Sequence, residues 1–405
     1  MIEKIIKAVK RGNKRRGRNI TIGAVIGFLL SCTAVMGADE YLWIRKNDGE
    51  EIKFSTTGDN GNWDKENPYE NAGNIWDKDT EPKTYTNNTT LSSNAANGND
   101  MGIDISYGLR LSGGLTNVNF VNNGSIIGKM SGIGSDDGYG FGIYNTGTIE
   151  DIANTGVISG TGSSSSGSGD GYGIVNNSGT IGDTTNIGII SGAGKGDGSH
   201  GFGYGIYNFS SATMGNIENA GLISGTGSSS SDDGIGSGIS NLGTVKNIEN
   251  TGLISGYGTS SSGAGTGSGI LNNSDVKKMG NIINTGVISG TGNSSNSSSS
   301  SGYGVMSYRS GTMGNIENAG LISGYGTSSS GDGYGYGIHN DSSCKIGAIT
   351  NTGVISGFGS NAGKGSGIYN SNTIVAITNT GVIYGTDNAI KNDNGTIDPS
   401  SNYGI

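Results

Sequence analysis

Apolar residues are sparse along most of this chain, yet one short apolar phrase keeps returning. It reads NTGVISG at 154–160, NTGLISG at 250, NTGVISG at 284 and 351, and NAGLISG at 219 and 318. Aligned on its glycine, from Gly124 and Gly156 to Gly353 and Gly381, it recurs every 31–34 residues, with one shorter step of 28. A period of this length marks stacked units, each too small to bury an apolar face by itself.

Each unit has three pieces. The first is Gly-Ile-x-Asn, whose apolar slot is Ile143, Ile174, Ile206, Ile239, Ile270, Val305, Ile338 and Ile368. The following slot varies from Tyr144 to Ser240 to His339. Side chains alternate between faces along a strand, so the uniform slot points inward and the variable one outward. The second piece runs through Met214-Gly-Asn-Ile217, an apolar spacing of three that needs a bend to fit a strand. The third is VISG or LISG, with isoleucine always second, as at Ile158, Ile223 and Ile355. Its first residue, such as Val157, Leu222 or Leu321, faces the other way, under a folded-back loop. The pattern predicts an all-β fold, a right-handed parallel β-helix of about nine repeats of about 33 residues.

Asparagine follows the first piece at Asn145, Asn176, Asn208, Asn241, Asn272, Asn340 and Asn370, with Ser307 as the exception. Asparagine tolerates left-handed backbone and suits a tight corner, and stacked amides form a ladder along the axis. Serine- and glycine-rich tracts such as TGSSSSGSGDGYG separate the phrases. They read as surface loops that absorb most of the variation in repeat length.

The two ends differ from the repeats. Residues 1–37 join a basic head, MIEKIIKAVKRGNKRRGRN, to an apolar run and small residues, the parts of a secretory signal cleaved after Gly37 or Ala38. A retained membrane anchor is the alternative, and Leu29-Leu30-Ser31-Cys32 loosely resembles a lipoprotein box. Residues 38–110 hold Trp43, Trp63 and Trp76 and read as an N-terminal cap, with a hairpin turning at Asn47-Asp48-Gly49. Residues 111–405 are the β-helix. They stop at Tyr403-Gly404-Ile405, where a first strand begins in other repeats, so a longer protein cut short is expected, the alternative being an end that pairs with another chain.

Composition sharpens this picture. The chain has 405 residues, 80 of them glycine and only 3 proline, without the strict triplet period of collagen. The leader carries eight of the 24 basic residues and one of the 33 acids, so its removal leaves an excess of about sixteen negative charges. That argues against nucleic acid and anionic membrane surfaces as partners. Cys344 is the one cysteine outside the leader, so no internal disulfide forms in the exported part.

The basic-then-apolar leader and the Asn-Thr-Gly-x-Ile-Ser-Gly phrases resemble the passenger regions of bacterial autotransporters, above all the repeat-rich, adhesin-type ones of fusobacteria and their relatives. The resemblance implies export, display at the cell surface or outer membrane, and adhesion to a host-cell or matrix glycan or protein. It also implies an outer-membrane translocator barrel, either in cis beyond residue 405 or in trans, since no run of barrel strands stands in this sequence.

The alternative is a secreted β-helix enzyme acting on polysaccharide. Glycoside hydrolysis needs two carboxylates across a cleft. Here the acids recur with the repeat, Asp137, Asp170, Asp233 and Asp332 in Asp-Gly phrases and Glu218, Glu249 and Glu317 at equivalent positions, as solvated surface charge would. Only His200 and His339 are present for a triad or a zinc site; His339 fills the outward slot held by tyrosine or serine in other repeats, and His200 lies in a glycine loop. GSGDGYG and GKGDG superficially resemble calcium loops without their tandem repeat. The reading is therefore non-catalytic, with no cofactor or metal. Tyr139, Tyr172, Tyr303 and Tyr334 recur at the loop exits along one edge and are the candidate ligand-binding residues; the bland alternative is that each ring shields its own rung.

Overall fold

The computed structural model describes residues 41–45, 51–55, 75–77, 82–88, 90–95, 103–111, 118–132, 137–274, 277–296, 298–398 and 401–402. The leader, the turn at 47–49, Trp63 and the closing Tyr403-Gly404-Ile405 lie outside them. Residues 38–405 form one compact unit. Its described part is all strand and turn, wound as a parallel β-solenoid.

Each coil crosses three sheets. The coil that starts at Gly169 is typical: Gly169–Asn176 lies in the first sheet, Thr180–Ile181 and Thr184–Asn186 in the second, and Ile189–Gly196 in the third. Successive coils pair in parallel and in register, so that Ile158 sits on Ile190, Ile190 on Ile223 and Ile223 on Ile254. Like therefore stacks on like, and isoleucines from all three sheets join one continuous core in which Ile174, Ile181 and Ile190 are fully buried. The awkward spacing of three resolves as a break between two short strands. Thr213–Met214 ends, Gly215 and Asn216 turn, and Ile217–Asn219 begins. Asn216 N–H bonds the Asp183 carboxylate of the coil below at 2.8 Å, which holds the bend.

The Ser/Gly tracts are strand, not loop. Val157–Ser164 and Gly169–Asn176 each continue through their glycines, and only 165–168 turns between them. Beyond the isoleucines, the first and third sheets close on one another as a thin fin. Gly160 and Gly162 point into it from one side and Gly169 and Gly171 from the other. A Cβ on Gly160 would stand 1.9 Å from the Tyr172 carbonyl oxygen, and one on Gly162 equally close to that of Asp170. Glycine is required here because two backbones meet with no side chain between them. The alternation of Gly with Ser or Thr is thus an ordinary strand period whose inward residue has no side chain.

Four further expectations change. Repeat length varies mainly after the first-sheet asparagine, with two residues between Asn145 and Thr148 but four between Asn208 and Thr213. The fin turns stay at four residues in 165–168, 197–200, 230–233 and 261–264. Val157, Leu222 and Leu321 lie under no folded loop; they share an open outer column with Leu253, which is 38% exposed. Parallel stacking begins at Lys83–Asn87, Thr90–Ala95 and Ile103–Leu111, inside the segment read as a cap. Ahead of these coils, Tyr41–Arg45 and Glu51–Ser55 form an antiparallel hairpin that joins the edge of Ile103–Leu111. Ile75–Asp77 likewise pairs antiparallel with Lys83–Asn87.

The corner asparagines are buried and not left-handed; among described non-glycine residues only Arg309, Asn361 and Asn394 have positive φ. Asn145 Nδ2 donates to Asn176 Oδ1 at 2.9 Å, and the chain of amides continues through Asn208 and Asn241 to Asn272. Ser307 interrupts it. Asn272 then turns to the Thr312 carbonyl, and the buried Oδ1 of Asn340 is left without a donor. A second, unbroken ladder runs at the other corner from Asn87 through Asn122, Asn154 and Asn186 to Asn379, each step between 2.7 and 2.8 Å.

Candidate functional site: the outer side of the first sheet

Along each first-sheet strand the outward positions shift phase once. Tyr139 and Phe141 face out, Gly142 and Ile143 both face in, and Tyr144 faces out again; the ladder register skips the glycine of this step in the next coil, Gly173. The strand bends there, and two outward columns three residues apart converge over a crease. Phe141 meets Tyr144 edge-on at 5.2 Å and Tyr204 meets Tyr207 at 4.8 Å.

The four candidate tyrosines do not make one row. Tyr172 and Tyr303 belong to the column beside the crease. Tyr107, Phe141, Tyr172 and Tyr204 stack there in sequence at 5.2, 5.0 and 5.3 Å, so that both faces of the Tyr172 ring are occupied. After Ser237 and Ser268 the stack resumes with Tyr303 on Tyr336 at 5.7 Å. These rings shield the rungs. Tyr139 and Tyr334 belong to the next column toward the fin edge, which reads Tyr139, Asp170, Phe202, Ile235, Thr266, Ser301, Tyr334. Neither stacks on another ring among the described residues. Each is tied instead to the acid two places before it, Tyr139 Oη to Asp137 Oδ2 at 3.5 Å and Tyr334 Oη to Asp332 Oδ2 at 3.0 Å. Burial, with help from Asp170 and Asp137, pushes the Tyr139 hydroxyl up to about 12, and the bond to Asp332 raises that of Tyr334.

Asp170 departs from its repeat-mates. It is 5% exposed, accepts the Tyr172 hydroxyl at 3.3 Å on Oδ2, and leaves Oδ1 without a partner. Burial raises its carboxyl from 3.8 to about 7, against the bonds from Tyr172 and the Phe202 backbone, which lower it. The sequence pattern hid this because Asp170 replaces an aromatic or aliphatic residue in its column, whereas Asp137, Asp233 and Asp332 lie at or beside the fin turns.

Neighbouring turns also bring together residues far apart in sequence. His200 Nε2 lies 3.4 Å from Asp232 Oδ2, and donor atoms of His200, Asp232 and Asp233 fall within 4.8 Å of one another. The spacing of 32 and 33 residues is one repeat and so is a sign of the contact, though no local motif marks it. Three such donors on a half-exposed edge would supply only part of a divalent cation's shell. His339 lies flat on Tyr369 at 4.9 Å in the crease, where burial lowers its imidazole to about 4 and holds it neutral. Glu218 and Glu249 stack on the second sheet, and burial raises Glu218 together with the charges of Glu249 and Asp183. Comparisons of the chain with family models, with curated proteins and with solved structures find no match.

Proposed function

We propose that this chain is an exported, surface-displayed, non-catalytic binding rod of the adhesin-passenger type. Its ligand is a glycan or protein of a host or neighbouring cell, and delivery to the surface uses a translocator barrel in cis or in trans. The observation that carries the reading is the duplicated Asp-x-Tyr pair, Asp137 with Tyr139 and Asp332 with Tyr334, in one outward column. Each pair offers a ring held by its own hydroxyl and a carboxylate beside it. A ring of this kind stacks on a sugar face while the carboxylate accepts sugar hydroxyls. Six rungs separate the pairs, roughly 29 Å at about 4.8 Å per rung, a span for two contacts with one extended ligand.

Residues 38–405 enclose their own core and serve as the test protein. On a glycan array the expected result is binding without product release, weakened about tenfold by Tyr139→Ala or Tyr334→Ala and abolished by both. Unchanged binding in the double variant would defeat the proposal. The polysaccharide-acting alternative rests on Asp170, whose proton is retained to about pH 7 as a general acid needs. New reducing ends that disappear in Asp170→Asn would decide for it.

A further inference from the structure

We propose that the outer side of the third sheet is where a second copy of this chain packs. Its ten strands, from Thr90–Ala95 to Val382–Gly385, carry no aspartate or glutamate, and their lysines are Lys129 and Lys195. The chain as a whole holds 33 acids against 24 basic residues. Acids stand elsewhere: Glu218, Glu249 and Glu317 on the second sheet, Asp197, Asp232 and Asp332 at the fin turns. Two copies of an acidic protein repel over most of their surface, and this side is where they meet without opposing carboxylates.

The side is also regular. One outward column is aliphatic from Val157 through Ile189, Leu222 and Leu253 to Val382, and the next is serine from Ser159 to Ser356. The third mixes threonine with Tyr257, Tyr325 and Phe358, the last two stacked at 4.7 Å. Exposures of 37–42% for Leu253, Val354, Tyr325 and Phe358 leave a half-open apolar stripe and an aromatic one. Six rungs with four outward positions, one with three and one with two, each position about 4.8 by 6.7 Å, give roughly 900 Å², close to the ~800 Å² per partner of a standard stable interface.

Symmetry fixes the orientation. A twofold axis lying in this surface along the solenoid would set the aliphatic column against the fourth, polar column nearest the fin turns, which runs from Ser163 and Lys195 to Asn293 and Thr327. An axis across the strand stack sets each column against itself, aliphatic on aliphatic and serine on serine, with the two copies antiparallel. The second arrangement buries the apolar stripe.

Sedimentation of residues 38–405 over a micromolar concentration range should show a monomer–dimer equilibrium that strengthens with salt. Leu253→Glu with Leu321→Glu should weaken it at least tenfold while circular dichroism and the melt are kept. If that pair unfolds, Thr226→Glu with Thr291→Glu in the third column, among Tyr257 and Tyr325, reads the same contact. Val157→Cys mixed with Val382→Cys should cross-link, with Cys344 buried and silent. A wild type that stays monomeric throughout, glutamate variants that associate as wild type does, or cross-linking of Val157→Cys with itself would each overturn the proposal.

Discussion

Each coil contains two ways of closing a protein interior. Near the corners, isoleucines from three sheets fill a small core; in the fin, two sheets meet mainly through glycine, with Met130 in one coil and small serines such as Ser164 at the turns. The first kind of closure is held by apolar volume, the second by backbone in contact with backbone. Isoleucine columns tolerate the loss of a methyl group because a flexible neighbour can shift. Where glycine lines the fin there is no side chain to move, so an added methyl must displace a strand and its whole ladder.

Substitutions can set one region against the other. Gly162→Val should be the most damaging, because its Cβ would fall 1.9 Å from the Asp170 carbonyl oxygen. Loss of the cooperative melt is expected, and a variant melting within a few degrees of wild type would show that the fin opens easily. Asp170→Asn comes next. Its carboxyl is raised in the fold from 3.8 to about 7, so the folded state binds the proton more tightly. Stability is therefore whole below about pH 4 and falls as pH rises to 7, by up to ~4 kcal/mol if the full shift is expressed. Denaturant midpoints from pH 4 to 8 should decline in the wild type and flatten in the variant.

Asn219→Ala should cost about 2–3 kcal/mol, since it leaves Asn250 Oδ1 without its amide donor and removes one bond of Asn186 Nδ2. Ser307→Asn runs the other way. It supplies the missing donor to Asn340 Oδ1 and should gain about 1 kcal/mol, read as a raised melting temperature. Ile254→Val, which removes one methyl from the core, should cost only about 0.5–1.5 kcal/mol. If Ile254→Val proved as damaging as Gly162→Val, the contrast between the two regions would collapse.

The isoleucine columns were legible in the sequence because their period survives every change of repeat length. The fin was not. Glycine at every second residue, as in Gly160-Thr-Gly162-Ser, reads as a flexible tract, since no apolar residue marks the inward side. The same blindness moved the length variation to the wrong place, when it belongs to the asparagine corner. The phrase Gly-Tyr-Gly makes the four tyrosines look alike, yet Tyr139 and Tyr334 stand four residues before Ile143 and Ile338, whereas Tyr172 and Tyr303 stand two before Ile174 and Val305. That offset of two puts Tyr139 and Tyr172 in different columns, where one ring lies unstacked and the other is pressed between two neighbours. The repeat period places His200 beside Asp232 and Asp170 beside Tyr139 and Phe202, but the burial of Asp170 and the approach of the His200 donor atoms depend on side-chain packing that the period does not encode.

The unbroken amide ladder from Asn87 to Asn379 has a consequence for how such a gene changes. Delete or duplicate one complete coil, and every asparagine still finds an identical partner above and below it. Unequal recombination between repeats would then alter the length of the rod in whole steps while sparing its stability, so natural variants should differ by multiples of one coil.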